Sequence, residues 1–212
     1  MFNGFYDIDA RDGKDVKFVD PDYDRSLMPL IMQSRWELTD FIARYIKAQP
    51  QTVLEIGVAH GGTMIEWLKY AAPNSTIVGI EYTARRVEQN FEYWKSFKHE
   101  DTQFRVFTGR SQKPEIVEEV CGIFKDGLDW LFIDGMHHYD TAKQDFENYG
   151  PLVKPGGIIA LHDIYREFDQ GSDETVTELW EEIRHAGYMT RELRSFRGQD
   201  NRGIGIVYVE EQ

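Results

Sequence analysis

Asp134 closes the apolar run Leu128–Ile133, and His137 follows it by three positions; His162 and Asp163 close a second run, Ile158–Leu161. If the two runs are neighbouring strands, the two carboxylates converge. Two carboxylates with a histidine suit an oxygen-rich divalent site, Mg²⁺ more than Zn²⁺. A bound Mg²⁺ lowers the pKa of a coordinated hydroxyl and orients it. Asp134, His162 and Asp163 are therefore the candidate metal ligands. A histidine with an unperturbed pKa of about 6.5 suits a general base, and the loop presents two, His137 and His138. A further constellation lies upstream. Gly57-Val-Ala-His-Gly-Gly62 follows the run Thr52–Ile56, with glycine at its first and sixth places and Ala59 at its third. A dinucleotide-binding turn wants glycine at the third place, where backbone approaches a pyrophosphate, so Ala59 weakens an NAD reading. Glu55, two residues before Gly57, suits a cationic amine better than a pyrophosphate. Glu81 ends another apolar run 24 residues after Gly57, where a carboxylate can accept both hydroxyls of an adenosine ribose.

Each of these residues follows directly on a short apolar run, so the elements that position them can be named. A helical period runs from Leu30 to Ala48, with Ile31, Leu38, Phe41, Ile42, Tyr45 and Ile46 on one face. Strands are predicted at Thr52–Ile56, Ile77–Glu81, Gln103–Phe107, Leu128–Ile133 and Ile158–Leu161, the last preceded by the punctuation Pro155-Gly156-Gly157. Helices are predicted from Met64 to Ala72, after a Thr83 cap, from Pro114, through Ala142, Phe146 and Tyr149, and after a Ser172 cap. Two β-like runs, Met189–Phe196 and Gly203–Val209, close the chain around a turn at Gly198 to Asn201. Apolar strands alternating with helices imply an α/β fold with a parallel sheet covered on both faces. Ligands of such sheets bind beyond the carboxyl ends of the strands, where all the candidates stand.

The chain has 212 residues, 41% of them hydrophobic and 14% aromatic, enough for one α/β domain with a sizeable core. Its formal net charge of −13 disfavours nucleic acid or an anionic membrane as a partner. Cys121 is the single cysteine, so neither an intrachain disulfide nor a cysteine zinc cluster can form; it falls on the apolar face of its helix. No basic leader and no run of about 20 apolar residues is present, so a cytoplasmic location is expected. Residues 1–24 hold seven aspartates with Phe2, Phe5, Tyr6, Phe18 and Tyr23 among them. Residues 1–28 are expected to form an acidic, aromatic arm, either loose on the surface or serving as a lid or partner contact, and residues 29–212 the functional domain. A homo-oligomer is left open.

Val53-Leu-Glu-Ile-Gly-Val-Ala-His-Gly-Gly62 resembles motif I of the class I S-adenosylmethionine-dependent methyltransferases, and Ile80-Glu81 resembles their ribose-binding acidic motif. Phe132-Ile-Asp-Gly-Met-His-His-Tyr139, with Asp145, Pro155-Gly-Gly157 and His162-Asp163, resembles a narrower group. These are the small-molecule O-methyltransferases related to macrocin O-methyltransferase and the cephalosporin-hydroxylase-like proteins. The resemblance spans roughly residues 30–209. It implies a Rossmann-like, seven-stranded, mostly parallel sheet with helices on both faces and an antiparallel last strand.

It also implies roles. Glu55, Gly57, Ala59, Gly61 and Gly62 would surround the methionine part of S-adenosylmethionine, Glu81 the ribose and Ser111 the adenine, with Asp134 also lining the cofactor. His137 would be the general base. Asp145 would anchor the loop before its helix. The implied reaction is O-methylation of a small hydroxylated metabolite, a sugar or natural-product scaffold, assisted by Mg²⁺; N-methylation stays open. Metal-dependent relatives place another Asp or Asn beside the position of Asp163, whereas this chain has Ile164 and His162 there. The competing readings are an NAD-dependent oxidoreductase and a non-catalytic cofactor-binding protein of the same fold.

Overall fold

The computed structural model describes residues 35–165, 175–194 and 202–210. The arm at 1–28, the Ser172 cap and the turn at Gly198 to Asn201 lie outside the described residues. The elements follow in the order α1 (Arg35–Ala48), β1 (Thr52–Ile56), α2 (Gly62–Lys69), β2 (Thr76–Glu81), α3 (Ala84–Lys95), β3 (Gln103–Thr108), α4 (Pro114–Ile123), β4 (Leu128–Ile133), α5 (Tyr139–Tyr149), β5 (Val153–His162), α6 (Val176–His185), β6 (Met189–Leu193) and β7 (Ile204–Tyr208).

The strands form one seven-stranded sheet in the order β3-β2-β1-β4-β5-β7-β6. β1 to β5 pair in parallel, and β7 lies antiparallel between β5 and β6. The chain moves outward from β1 to β3 and then returns to the other side of β1 with β4. The crevice beyond the ends of β1 and β4 is thus the switch in strand order where such sheets bind ligands. Register sets the site: Ile56 stands opposite Ile133, and Ile133 opposite Leu161. Gly57, Asp134 and His162 therefore emerge side by side.

Side chains alternate along each strand and feed two cores. Leu54, Ile56, Val78, Ile80, Leu131, Ile133 and Leu161 pack against α4, α5 and α6. Val53, Ile77, Trp130, Phe132 and Ala160 pack against α1, α2 and α3, where Phe41, Trp67 and Trp94 are buried. β4 is buried on both faces, so it carries no polar alternation.

Some boundaries differ from expectation. β5 begins at Val153 and runs through Pro155-Gly156-Gly157; a register shift between Leu128 and Trp130 absorbs the segment, and the Gly156 amide pairs with the Val209 carbonyl at 2.7 Å. α2 starts at Gly62 rather than Met64. α6 is capped by Thr175, which forms a reciprocal capping box with Glu178. Thr83 takes the cap position of α3 without a side-chain cap bond, and its amide donates to Glu81 Oε1. Cys121 is only partly buried. None of the helices among the described residues is long and apolar enough to cross a membrane.

Candidate active site

The turn after β1 is shaped first by the chain itself. Gly57 has φ +91°, and a Cβ there would fall 1.9 Å from the Asp134 carbonyl oxygen. Only glycine lets the ends of β1 and β4 lie this close. Ala59 holds φ +50° and donates its amide to Glu81 Oε2 at 2.7 Å. Gly61 (φ +82°) leaves room for Trp94, whose indole N–H donates to the His60 carbonyl at 3.0 Å; Gly62 opens α2. His60 thus contributes its backbone to the loop.

Glu81 is nearly enclosed. Its carboxylate accepts from the amides of Ala59 and Thr83, at 2.7 and 2.8 Å, and from Arg86 Nη1 at 3.2 Å. Glu55 departs from expectation: it is fully buried rather than open to the crevice, because it shares the face of Val53 and points toward α2. Thr63 donates its hydroxyl to Oε1, and the Trp67 indole also interacts with the carboxyl. Burial pushes the Glu55 carboxyl well above the usual range against the Thr63 hydrogen bond, and the nearby carboxylates Asp134 and Glu81 push it the same way.

Ser111 is buried in the loop after β3. Tyr149 donates its hydroxyl to the Ser111 carbonyl. Gln112, which no motif marks, donates from Nε2 to Ser111 Oγ at 2.8 Å and to Asp145 Oδ1 at 2.7 Å. Asp145 does anchor a loop, but the loop is the one after β3. Burial pushes its carboxyl up to about 6, against hydrogen bonds from Ser111 and Gln112.

Asp134, His137, His162 and Asp163 converge as expected. His137 Nδ1 lies 2.9 Å from Asp163 Oδ2. His162 Nδ1 lies 3.0 Å from Asp134 Oδ1 and 3.4 Å from Asp163 Oδ1. Asp163 adopts φ +60°, a left-handed conformation that Asp tolerates better than most residues, and so presents one oxygen to each ring. His138 stands apart, at the cap position of α5 without a side-chain cap bond, and bridges by backbone to Thr175. An unforeseen member is Glu37, whose Oε1 lies 3.3 Å from His162 Nε2. It is one acidic residue at the start of an amphipathic helix, and no spacing marked it out. Burial lowers the His162 pKa, yet the charges of Asp134 and Asp163 and the hydrogen bonds to Asp134 and Glu37 outweigh it and hold the imidazole well above its usual value.

These contacts bear on the expected Mg²⁺. Both ring nitrogens of His162 face carboxylate oxygens, so neither offers a lone pair to a metal. Among the described residues, no group of three or more His, Cys, Asp or Glu side chains is arranged to hold a metal ion. The triad Asp134, His162 and Asp163 is brought together as an ion-paired cluster, and as arranged it does not fit the ion.

Residues 54–164, just over half of the chain, match the family described as Methyltransferase domain. An uncharacterized protein of Sinorhizobium fredii, y4gI, is 26% identical over 144 residues, which are 64% of this chain and 15% of that protein. The chain thus spans a small part of the length of the curated relative it matches. Among solved structures, an O-methyltransferase from Bacillus cereus in complex with SAH has a TM-score of 0.64 at 18% identity, over 83% of this chain and 82% of that one. TomG, an O-methyltransferase from Streptomyces achromogenes involved in tomaymycin synthesis and solved with SAM, has a TM-score of 0.63 at 16% identity, over 89% and 91%. MycE of the mycinamycin pathway, in complex with Mg, SAH and mycinamycin VI, has a TM-score of 0.57 at 17% identity, over 83% of this chain and 50% of that one. At these identities the likeness establishes the fold.

Proposed function

This chain belongs to the methyltransferase-domain family, and from that premise we propose that it transfers a methyl group from S-adenosylmethionine to a hydroxyl of a small metabolite. Membership sets aside the expected runner-up, an NAD-dependent oxidoreductase. One observation carries the reading. The Glu81-anchored turn after β1 and the His137–Asp163 pair adjoin at the switch in strand order, so a donor site and a base share one crevice. Glu55, buried and hydrogen-bonded to Thr63, would hold the turn that receives the methionine part of the donor. Glu81 would hold the ribose and the Ser111–Gln112 turn the adenine.

When bound, S-adenosylmethionine supplies a methyl carbon on a cationic sulfur; attack by an acceptor oxygen breaks the carbon–sulfur bond, and its electron pair stays on sulfur. The protein's part is to take the acceptor proton. Asp163 accepts from His137 Nδ1–H, which fixes the tautomer and leaves Nε2 to receive that proton. Asp163 then faces the imidazolium so formed and stabilises it. His162 holds Asp134 and Asp163 in place. A left-handed Asp163 set between two histidines favours a working site over a non-catalytic binding protein. A sugar or natural-product hydroxyl is the acceptor class proposed, with residues 1–28 as an arm beside the domain 29–212.

The test is calorimetry with S-adenosylhomocysteine, followed by transfer of labelled methyl to a panel of hydroxylated metabolites. Binding at micromolar strength and label in an ether product are expected. Folded chain that binds neither form of the donor would overturn the proposal.

A further inference from the structure

Glu37 lies outside every motif the sequence offers, yet it reaches the centre of the site. It stands in the first turn of α1 and is 1% exposed. The residues around it on α1, Leu38, Phe41 and Tyr45, are packing residues of the α1–α3 core. A carboxylate among them is costly to bury unless it is hydrogen-bonded. Its Oε1 lies 3.3 Å from His162 Nε2, across 125 positions of sequence. The opposite nitrogen of that ring faces Asp134 Oδ1 at 3.0 Å and Asp163 Oδ1 at 3.4 Å. The other oxygen of Asp163 lies 2.9 Å from His137 Nδ1.

An imidazole with acceptors at both ring nitrogens cannot rotate without losing one of them. We infer that Glu37 is a positioning residue for methyl transfer: it fixes the ring of His162, which fixes Asp163, which sets the tautomer and direction of His137. The inference rests on the assignment of His137 as the base. The contact is what a residue acting through another would need, because Glu37 meets His162, and His162 faces Asp163, the partner of His137. A favourable carboxylate at a helix N-terminus accounts for the residue type in the first turn but not for its burial against this ring.

The experiment is nuclear magnetic resonance of the full chain labelled with ¹⁵N at the histidine rings, read without any acceptor. In the wild type, the His162 Nε2 proton should resist exchange with water, and neutral His137 should carry its proton on Nδ1. In Glu37→Leu, the His162 Nε2 proton should exchange freely, and the two His137 nitrogen signals should move toward the averaged tautomers of a free imidazole. Glu37→Gln keeps an acceptor oxygen for His162 and should restore the wild-type His137 pattern, which a merely space-filling role would not do. Unchanged His137 signals in folded Glu37→Leu would overturn the inference, as would Glu37→Gln behaving like Glu37→Leu. If Glu37→Leu does not fold, the wild type decides. A His162 Nε2 proton that exchanges as fast as that of the exposed His185 would overturn it. Intact spectra in a chain that transfers no methyl would instead count against the base assignment, so the two failures are distinguishable.

Discussion

Ala59 and Glu81 are 22 positions apart and are joined by one hydrogen bond, from the Ala59 amide to Glu81 Oε2 at 2.7 Å. The turn after β1 and the end of β2 are thereby one unit. A carboxylate offers about four acceptor positions, and the amides of Ala59 and Thr83 with Arg86 occupy three of them. A ribose with two hydroxyls must displace one donor. Arg86 is the one to yield, since it is partly exposed and its bond, at 3.2 Å, is the longest.

Glu81→Ala should therefore weaken S-adenosylhomocysteine binding by roughly 1.5–3 kcal/mol, the value of charge-assisted hydrogen bonds, or about ten- to a hundredfold in Kd. Arg86→Ala should leave Kd nearly unchanged. Calorimetry on both variants checks this. A Glu81→Ala chain that binds as tightly as wild type would show that the ribose lies elsewhere.

His137→Ala should lower kcat by about 10²–10⁴-fold, the usual contribution of a positioned base, while donor affinity stays near wild type. His138→Ala should cost much less, since His138 sits at the start of α5 without a side-chain cap bond and apart from the His137–Asp163 pair. Steady-state rates for both, with an acceptor found by the labelled-methyl panel, separate them. A crippled His138 variant beside a near-normal His137 variant would reverse the assignment.

The strand ends were readable because parallel strands buried on both faces are apolar runs with a sharp polar stop, as Leu128–Ile133 with Asp134 shows. Register then followed from the fold class, and with it the meeting of Asp134 and Asp163. What the sequence concealed was set by tertiary contact. Glu37 looks like any charge on the polar side of an amphipathic helix until α1 is laid across the end of β5. Gln112 has no spacing that ties it to Asp145. Glu55 was expected in the crevice because it precedes the glycine turn, but strand alternation turns it under α2. His162 has the spacing of a metal ligand, and only its second neighbour, Glu37, shows that both ring nitrogens are taken.

Removing divalent metal should leave methyl transfer intact. A metal ion at Asp134 and Asp163 would have to separate both carboxylates from His162 Nδ1, which they face at 3.0 and 3.4 Å. Turnover in excess chelator, compared with turnover in added Mg²⁺, checks this. Activity lost with chelator and restored by Mg²⁺ would mean that His162 gives up those contacts in the working enzyme.

Asp145→Asn should flatten the dependence of stability on pH between about 4 and 6. The Asp145 carboxyl is buried and titrates near 6 in the folded chain, against an ordinary value of 3.8. Between those values the folded chain holds more protons than the unfolded one, so stability falls as pH rises through the interval. The loss is complete above the folded pKa and amounts to about 3 kcal/mol, since each pKa unit is worth about 1.4 kcal/mol. An Asn side chain has no such proton to lose. It brings a cost of its own, because its amide would stand where Asp145 Oδ2 has no hydrogen-bond partner; an unsatisfied buried donor costs about 1–3 kcal/mol. That cost is the same at every pH, so it shifts the variant's curve without bending it. Gln112 can still donate to the remaining Asn oxygen, which keeps the loop after β3 tied to α5. Urea unfolding of both chains from pH 4 to pH 8 reads the difference. The gap between variant and wild type should change in the variant's favour from pH 4 to 6 and then stay level. Parallel curves across that range would mean that Asp145 ionises freely in the folded chain, and that the enclosure between Gln112 and Gly135 admits water.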